Sequence, residues 1–345
     1  MAVTIRDLAK ACGLSVSAIS KALNGYTDIS HQTREQVQQV ARDMGYFPNA
    51  QARALKTNRS YNIGVMNEVS SRDGLLHSFF ASILDGFKKE IEQSGYDMTF
   101  LSHRIGAQSV SVLDHCHYRS MDGAILACVD FTDLQTLALG ASSVPCVTID
   151  HKLEGCPCVL SDNRDGTAAL VRYVASRGHR RIGFVHGGAN SVTNARVAGF
   201  EFAMKSLDIE IIPELIQTAI YHHPESNRRA IEKLMSLPEP PTCILLTDDY
   251  AALGAMDALR ERHLQIGKDI SVAGYDGIVM GQMLRPRLTT YRQDTKRMGY
   301  EAARLLIKRI EHPSLPIPRP IVVQGELIEG ETIADIRSCA PPVRE

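Results

Sequence analysis

The sequence predicts a small all-α head of helix-turn-helix type, followed by a two-lobed α/β body of doubly wound parallel sheets. Three observations carry that expectation. The first 45 residues place apolar side chains at helical spacing, broken by single glycines. From Tyr61 onward the pattern changes to strands that are apolar throughout, alternating with amphipathic helices. The 285 residues that follow position 60 are too many for one such sheet, so two similar lobes are expected.

In the head, Ile5, Leu8 and Ala9 recur at helical spacing, Gly13 can take the left-handed backbone that stops a helix, and Ser15 can cap the next. Ile19, Ala22 and Leu23 give the second helix a buried face. Its other face carries Val16, Ser17, Ser20 and Lys21, which are small or polar groups plus one cation. Such a helix pair with a glycine-containing turn is the DNA-binding helix-turn-helix pattern, although a plain helical hairpin shows the same spacings. Ser30 can cap a third helix over 31–44, with Val37, Val40, Ala41 and Met44 as its apolar stripe, and Gly45 ends the unit.

Residues 48–60 read as a two-turn helix with little apolar surface of its own, leading into the first strand. They are either an ordinary linker or a hinge that becomes helical only when held, with Leu55 as its one apolar wedge. In the body, strands are expected at 63–66, 98–101, 123–127, 146–149, 182–185, 243–246 and 270–274. Helices are expected at 79–93, 131–140, 166–177, 195–207, 225–235, 250–262 and 296–311. Residues 159–163 suit a crossover between lobes, and the Pro-containing tail is expected to be disordered.

Net charge is −1 overall, but it is unevenly spread. Residues 1–60 hold eight Lys or Arg against four acids, a net of +4, which leaves −5 on the rest of the chain. A basic head on an acidic body fits a head that meets phosphates and a body that does not. The eight cysteines form no CxxC pair and no zinc-like spacing, so no metal is expected. The first twenty residues are amphipathic and no long apolar run follows, which argues against a cleavable signal and a membrane span, and for a cytoplasmic protein.

Ligands of open α/β sheets bind at the carboxyl ends of strands, and a two-lobed body adds a cleft between the lobes. Asp150, Asp248, Asp249 and Asp276 follow strands, and Arg196 sits just inside a helix. Carboxylates and an arginine around a cleft can hold vicinal hydroxyls, while Phe79 and Phe80 could stack on a sugar face. An Asp just after a strand is also a common helix cap, and Asp249 is assigned to that role. Phosphate-loop, dinucleotide, nucleophile-elbow and zinc-hydrolase motifs are all absent, so no catalytic residue, no cofactor and no enzyme is expected.

Six blocks of sequence, in order, resemble the LacI/GalR family of bacterial transcription regulators. They are VTIRDLAKACGLSVSAISKALN, TREQVQQVARDMGYFPNAQARALK, SDNRDGTAALVRYVASRGHRRIGFVHG, ARVAGF, DDYAALGAMDALRERHLQIGKDISVAGYDG and PRLTTYRQD. The resemblance spans essentially residues 3–335. It implies a homodimer that binds pseudo-palindromic double-stranded operator DNA, and a periplasmic-binding-protein-like body whose cleft takes a small-molecule effector, expected to be a sugar. It places Val16, Ser17 and Lys21 on base edges and Leu55 as the minor-groove wedge. Thr4, Ser15, Ser20, Asn24 and Arg53 complete the expected DNA-contacting set. Phe79, Phe80, Asp150, Arg196, Asp248 and Asp276 match effector-cleft positions. Gln51 departs from the usually apolar hinge position, and Asp248 stands where many members carry Asn.

The expected division is therefore 1–46 DNA-binding domain, 47–60 hinge, 61–338 effector-binding and dimerisation body, and 339–345 tail. Lobe 1 would hold about 61–160 plus 293–322, and lobe 2 about 161–292 plus 323–338. The body alone equally suits an exported sugar-binding protein, and the basic head decides against it. The purified chain should bind a pseudo-palindromic duplex with half-sites about one helical turn apart, and binding should weaken steeply with salt. Gel shifts that show no binding, or binding indifferent to salt, would refute this.

Overall fold

The computed structural model describes residues 3–47, 59–67 and 77–337. Gln51, Arg53, Leu55 and most of the expected hinge, together with the tail at 339–345, lie outside the described residues. The chain divides into two compact units, Met1–Tyr61 and Asn62–Glu345.

Among the described residues the first unit holds three helices: α1 (Ile5–Cys12), α2 (Val16–Leu23) and α3 (His31–Asp43). Thr4 and Asp7 cap α1 reciprocally, each side chain taking the other's backbone N–H, and Gly13 ends it at φ 65°. Ser15 Oγ accepts from Ala18 N at 3.1 Å to start α2, and Ser30 Oγ accepts from Thr33 N at 3.2 Å to start α3. Leu8, Ala9, Ile19, Ala22, Val37 and Ala41 are buried together and hold the three helices on one small core.

The second unit contains two six-stranded sheets. The first runs β13-β7-β6-β5-β1-β2 and all its pairings are parallel. Its strands are β1 (Asn62–Met66), β2 (Asp97–Phe100), β5 (Gly123–Leu126), β6 (Cys146–Ile149), β7 (Cys158–Ser161) and β13 (Ile321–Val323). The second runs β14-β12-β11-β10-β8-β9 and is parallel except for β14 against β12. It is built from β8 (Ile182–His186), β9 (Ile216–Thr218), β10 (Cys243–Leu245), β11 (Ser271–Asp276), β12 (Thr289–Arg292) and β14 (Glu326–Ile328). A two-stranded ribbon, β3 (Arg104–Ile105) with β4 (Gln108–Ser109), lies outside both.

The first lobe carries helices α4 (Ser78–Gln93), α5 (Val112–Tyr118), α6 (Leu134–Gly140) and α12 (Thr295–Glu311); the second carries α7 (Asn163–Ser176), α8 (Ser191–Ser206), α9 (Pro224–Leu234), α10 (Ala251–Glu261) and α11 (Val279–Met283). The expected helix over 131–140 begins later, at Leu134, because Asp133 caps there by accepting from Gln135 N and Thr136 N. Phe131 instead lies in the preceding loop, its ring stacked 4.1 Å from His151.

The chain crosses between lobes three times: after β7, after β12 and after β13. Asp162 ties all three crossings. Its carboxylate accepts from Tyr291 Oη at 2.7 Å and from Gly325 N at 3.3 Å. Buried and hydrogen-bonded to both of the other crossing segments, this carboxylate fastens the pivot.

Within lobe 1, α4 and α12 approach so closely that only glycine fits at the contact. A Cβ on Gly299 would fall 2.1 Å from Ile83 O, and one on Gly86 would fall 2.3 Å from Lys296 O. Backbone cannot yield as a side-chain tip can. Gly299→Ala should therefore cost about 1–3 kcal/mol of stability by forcing the helices apart. An unchanged denaturant midpoint in that variant would show that the contact relaxes freely.

Candidate functional site

Two regions carry the residues singled out from the sequence. In the head, Val16 is 42% exposed on α2 while Ile19 and Ala22 on the opposite face are buried. Ser17 and Lys21 are four residues apart and share one helix face. Thr4 and Ser15 are helix caps, and Asn24 Nδ2 donates to Ser20 O at 2.6 Å, so these side chains hold the helix ends. Lys21 Nζ is ion-paired with Asp28 on the connector to α3. Arg53 and Leu55 lie outside the described residues.

In the body, Arg196 on α8 is buried, with 6% of its surface exposed. Its Nε donates to Asn163 Oδ1 at 2.8 Å, Nη1 to Thr247 O at 2.8 Å and Nη2 to Asp276 Oδ1 at 3.5 Å. The guanidinium lies 3.6 Å from the Tyr275 ring centroid. Burial opposes the charge, but Tyr221, Tyr275, Asp276 and Asp150 outweigh it, and the group stays a cation. Gln293 Nε2 donates to Asp276 at 2.6 Å, and its Oε1 is buried with no protein partner.

Asp150 accepts from Ser161 N at 2.7 Å and from Asn163 Nδ2 at 3.5 Å, so Asn163 links it to Arg196. Burial pushes the Asp150 carboxyl up to about 6, against the opposing pull of the Ser161 N–H and Arg196. Asp276 is raised by burial too, although Arg196 opposes it. The Cys128 thiol is pushed up to about 12, first by burial and then by Asp150 and Asp276. Cys128, Asp150 and Asp276 lie at or just past the ends of β5, β6 and β11 with positive φ (53°, 55° and 106°), conformations that are costly for residues with a Cβ. Three such residues at the carboxyl ends of β5, β6 and β11 mark a shaped site.

Phe79 and Asp276 line one cavity of about 660 Å³ with Ser78, Ile278, Arg292 and Gln293. Contacts also bridge the lobes beside it. The His77 ring meets His222 edge-on at 4.1 Å, and Ser191 Oγ donates to Asp150 O at 2.8 Å.

Three expectations are corrected. Phe80 is fully buried and offers no ring to a ligand, because on a helix the next residue points about 100° away from Phe79. Asp248 is fully buried and its oxygens are taken up by Ala251 N, Thr247 Oγ1 and His222 N, so it caps α10 rather than facing the cleft. Asp249, assigned as a cap, instead accepts from Thr290 Oγ1 at 2.6 Å and from Ile278 N at 2.8 Å. Sequence reasoning missed Asn163, Tyr275, His222 and Gln293. A buried arginine needs several acceptors, and that requirement pointed to partners of this kind without naming them.

Residues 4–49 match the model of bacterial regulatory proteins, lacI family, and residues 171–333 match that of the periplasmic binding protein-like domain. The HTH-type transcriptional repressor PurR of Escherichia coli O139:H28 is 30% identical over 339 residues, covering 96% of this chain and 97% of that protein. The repressor of the same name from Haemophilus influenzae is 29% identical over the same length, covering 96% and 99%. A lac repressor dimer bound to operator and the anti-inducer ONPF superposes with a TM-score of 0.80 at 25% identity, over 97% of this chain and 100% of that one. The transcriptional regulator CelR in complex with cellobiose has the same fold, with a TM-score of 0.68 at 24% identity over 96% and 99%. No helix among the described residues is long and apolar enough to cross a membrane.

The Asp150 shift has a sign that can be tested. Its folded value of about 6 lies above the ordinary unfolded value near 4, so the folded state holds a proton that the unfolded state releases. Stability should then fall by about 2–3 kcal/mol as pH rises from 4 to 6. Asp150→Asn should flatten that window in denaturant titrations. Parallel profiles for the two proteins would contradict the assignment.

Proposed function

The chain belongs to the LacI family of bacterial regulatory proteins, and from that premise we propose that it is a homodimer whose operator affinity is set by a neutral sugar or glycoside bound between the lobes. It is a DNA-binding transcriptional repressor under effector control, not an enzyme. Val16, Ser17 and Lys21 on α2 are the side chains proposed to meet base edges, where Val16 can touch a thymine methyl and Lys21 can reach guanine acceptors. Leu55 is proposed as the wedge between the paired hinges. Operator binding puts the working protein in the bacterial cytoplasm.

One observation carries the ligand class. The cavity presents the Asp276 carboxylate and the Gln293 amide, and the cations on its wall, Arg292 and Lys296, are offset by the acids Asp294 and Glu326, the latter ion-paired with Arg292. Such a site favours a ligand rich in hydroxyl donors and gives little support to an anion. Phe79 in the same wall can pack against the C–H face of a sugar ring. Because the ligand would touch groups from both lobes, it stabilises one lobe arrangement over another. DNA affinity then shifts only by the difference in ligand affinity between those arrangements.

A thermal-shift screen of neutral sugars and glycosides, run beside purine bases, tests this reading, with hits repeated in an operator-binding assay. A sugar should raise the melting midpoint and change operator affinity. Gln293→Ala should weaken that sugar by about 1–3 kcal/mol while operator binding without ligand is retained. A response to purine bases alone would overturn the sugar assignment.

A further inference from the structure

We propose that Asp28 is a specificity-determining residue for DNA, acting through Lys21. The proposal rests on α2 being the helix that meets base edges. Lys21 is the only cation of that helix, and its ammonium donates to Asp28 Oδ2. Both side chains are at the surface, 42% and 52% exposed. An isolated lysine there would swing on a flexible stem and find any phosphate.

Asp28 does not swing in the same way, because its connector is pinned at several points. Tyr26 N donates to Lys21 O at 3.1 Å, Ile29 N to Tyr26 O at 3.4 Å and Arg34 Nη1 to Gly25 O at 3.1 Å. Ile29, the next residue, packs against the core of the head. The carboxylate is thus delivered by an ordered turn and decides where the ammonium stands. The other acids of the head are placed differently: Asp7 is held in the cap of α1, Glu35 pairs with His31 on α3, and Asp43 accepts from Gln39. Asp28 is therefore the acid that bears on the reading helix.

A carboxylate beside a polyanion is repelled unless it has a donor. On arbitrary DNA, moving Lys21 to a phosphate breaks the pair and leaves Asp28 facing like charge. Over a G·C pair both groups can be satisfied at once. Guanine O6 and N7 accept from lysine, and the cytosine N4 amino group donates to aspartate. The pair thus penalises arbitrary sequence and spares a G·C pair beneath Lys21.

The test uses the full chain, an operator obtained by in vitro selection, a random duplex, and fluorescence anisotropy across a salt series. Asp28→Asn should bind the random duplex about three- to tenfold more tightly, as expected for loss of one surface charge. Operator affinity should stay level or fall, so the operator-to-random ratio drops. Repeating the selection with Asp28→Asn should relax the G·C preference at one position of each half-site. The thermal midpoint should not move, because both groups are exposed. The proposal is overturned if Asp28→Asn leaves the ratio and the selected sequence unchanged while Lys21→Ala alters the selected base. If Lys21→Ala alters neither affinity nor sequence, the assignment of α2 as the reading helix falls, and the role of Asp28 falls with it.

Discussion

A guanidinium buried to 6% exposure cannot shed its proton, so the surrounding chain must supply acceptors, and in this body they come from separate elements. Asn163 opens α7, Thr247 follows β10 and Asp276 ends β11, yet all three converge on Arg196. Tyr275 covers the flat face of the cation. The charge is therefore the reason these strand ends and helix starts hold their spacing. Asp150 joins through Asn163, which brings a residue of the first lobe to the same network. Gln293 Oε1 has no partner on that network, and Gln293 and Asp276 both line the cavity where a ligand would meet them.

The lobes meet this network through a pivot that is itself polar. Asp162 binds Tyr291 and Gly325, so all three crossing segments are fastened at one carboxylate. Away from the pivot, the contacts between lobes among the described residues are individually weak: an edge-on histidine pair, the Ser191 hydroxyl against Asp150 O and His151, and Asn163 on Asp150. A tight pivot with light contacts beside the cleft allows two lobe arrangements to differ by only a few kcal/mol, which a single bound molecule can bias. Glycine contacts such as Gly86 with Lys296 and Gly299 with Ile83 hold α4 and α12 backbone to backbone. Phe79 and Gln293 lie at the start of α4 and just before α12, so a ligand touching both acts on that rigid pair.

Much of this was legible in the sequence because it rests on local rules. The helix starts at Ser15 and Ser30, the stop at Gly13 and the apolar stripes of the head all follow from spacing and capping chemistry. Six of the seven strands expected in the body are buried central strands of the two sheets, and the seventh, β2, is a partly exposed edge strand. The short strands β3, β4, β7, β9, β12, β13 and β14 do not follow from the pattern. β7 fell within a segment read only as a crossover, and β12, β13 and β14 flank the later crossings, where length and pattern are set by the pivot. Site residues were harder. Asp248 and Asp249 are adjacent with the same chemistry, and only the direction of each side chain separates the cap from the group that holds Ile278 and Thr290. Phe79 and Phe80 show the same limit. Neighbours on a helix point into different surroundings, here the core for Phe80 and the cavity for Phe79, and which is which depends on packing that no local pattern encodes.

The head and the body share one device: a cation whose position is set by a carboxylate. Lys21 with Asp28 is exposed and adjustable, whereas Arg196 with Asp276 is buried and fixed. In water the first pair is worth little and can exchange partners on DNA, while the second holds its geometry. The claim that Arg196 organises the cleft is tested most directly by carboxyl-carbon NMR titration of Asp150 and Asp276, in the native chain and in Arg196→Met. The account predicts that removing the cation raises both titration midpoints together. Midpoints that stay where they were, in a variant that remains folded, would contradict it.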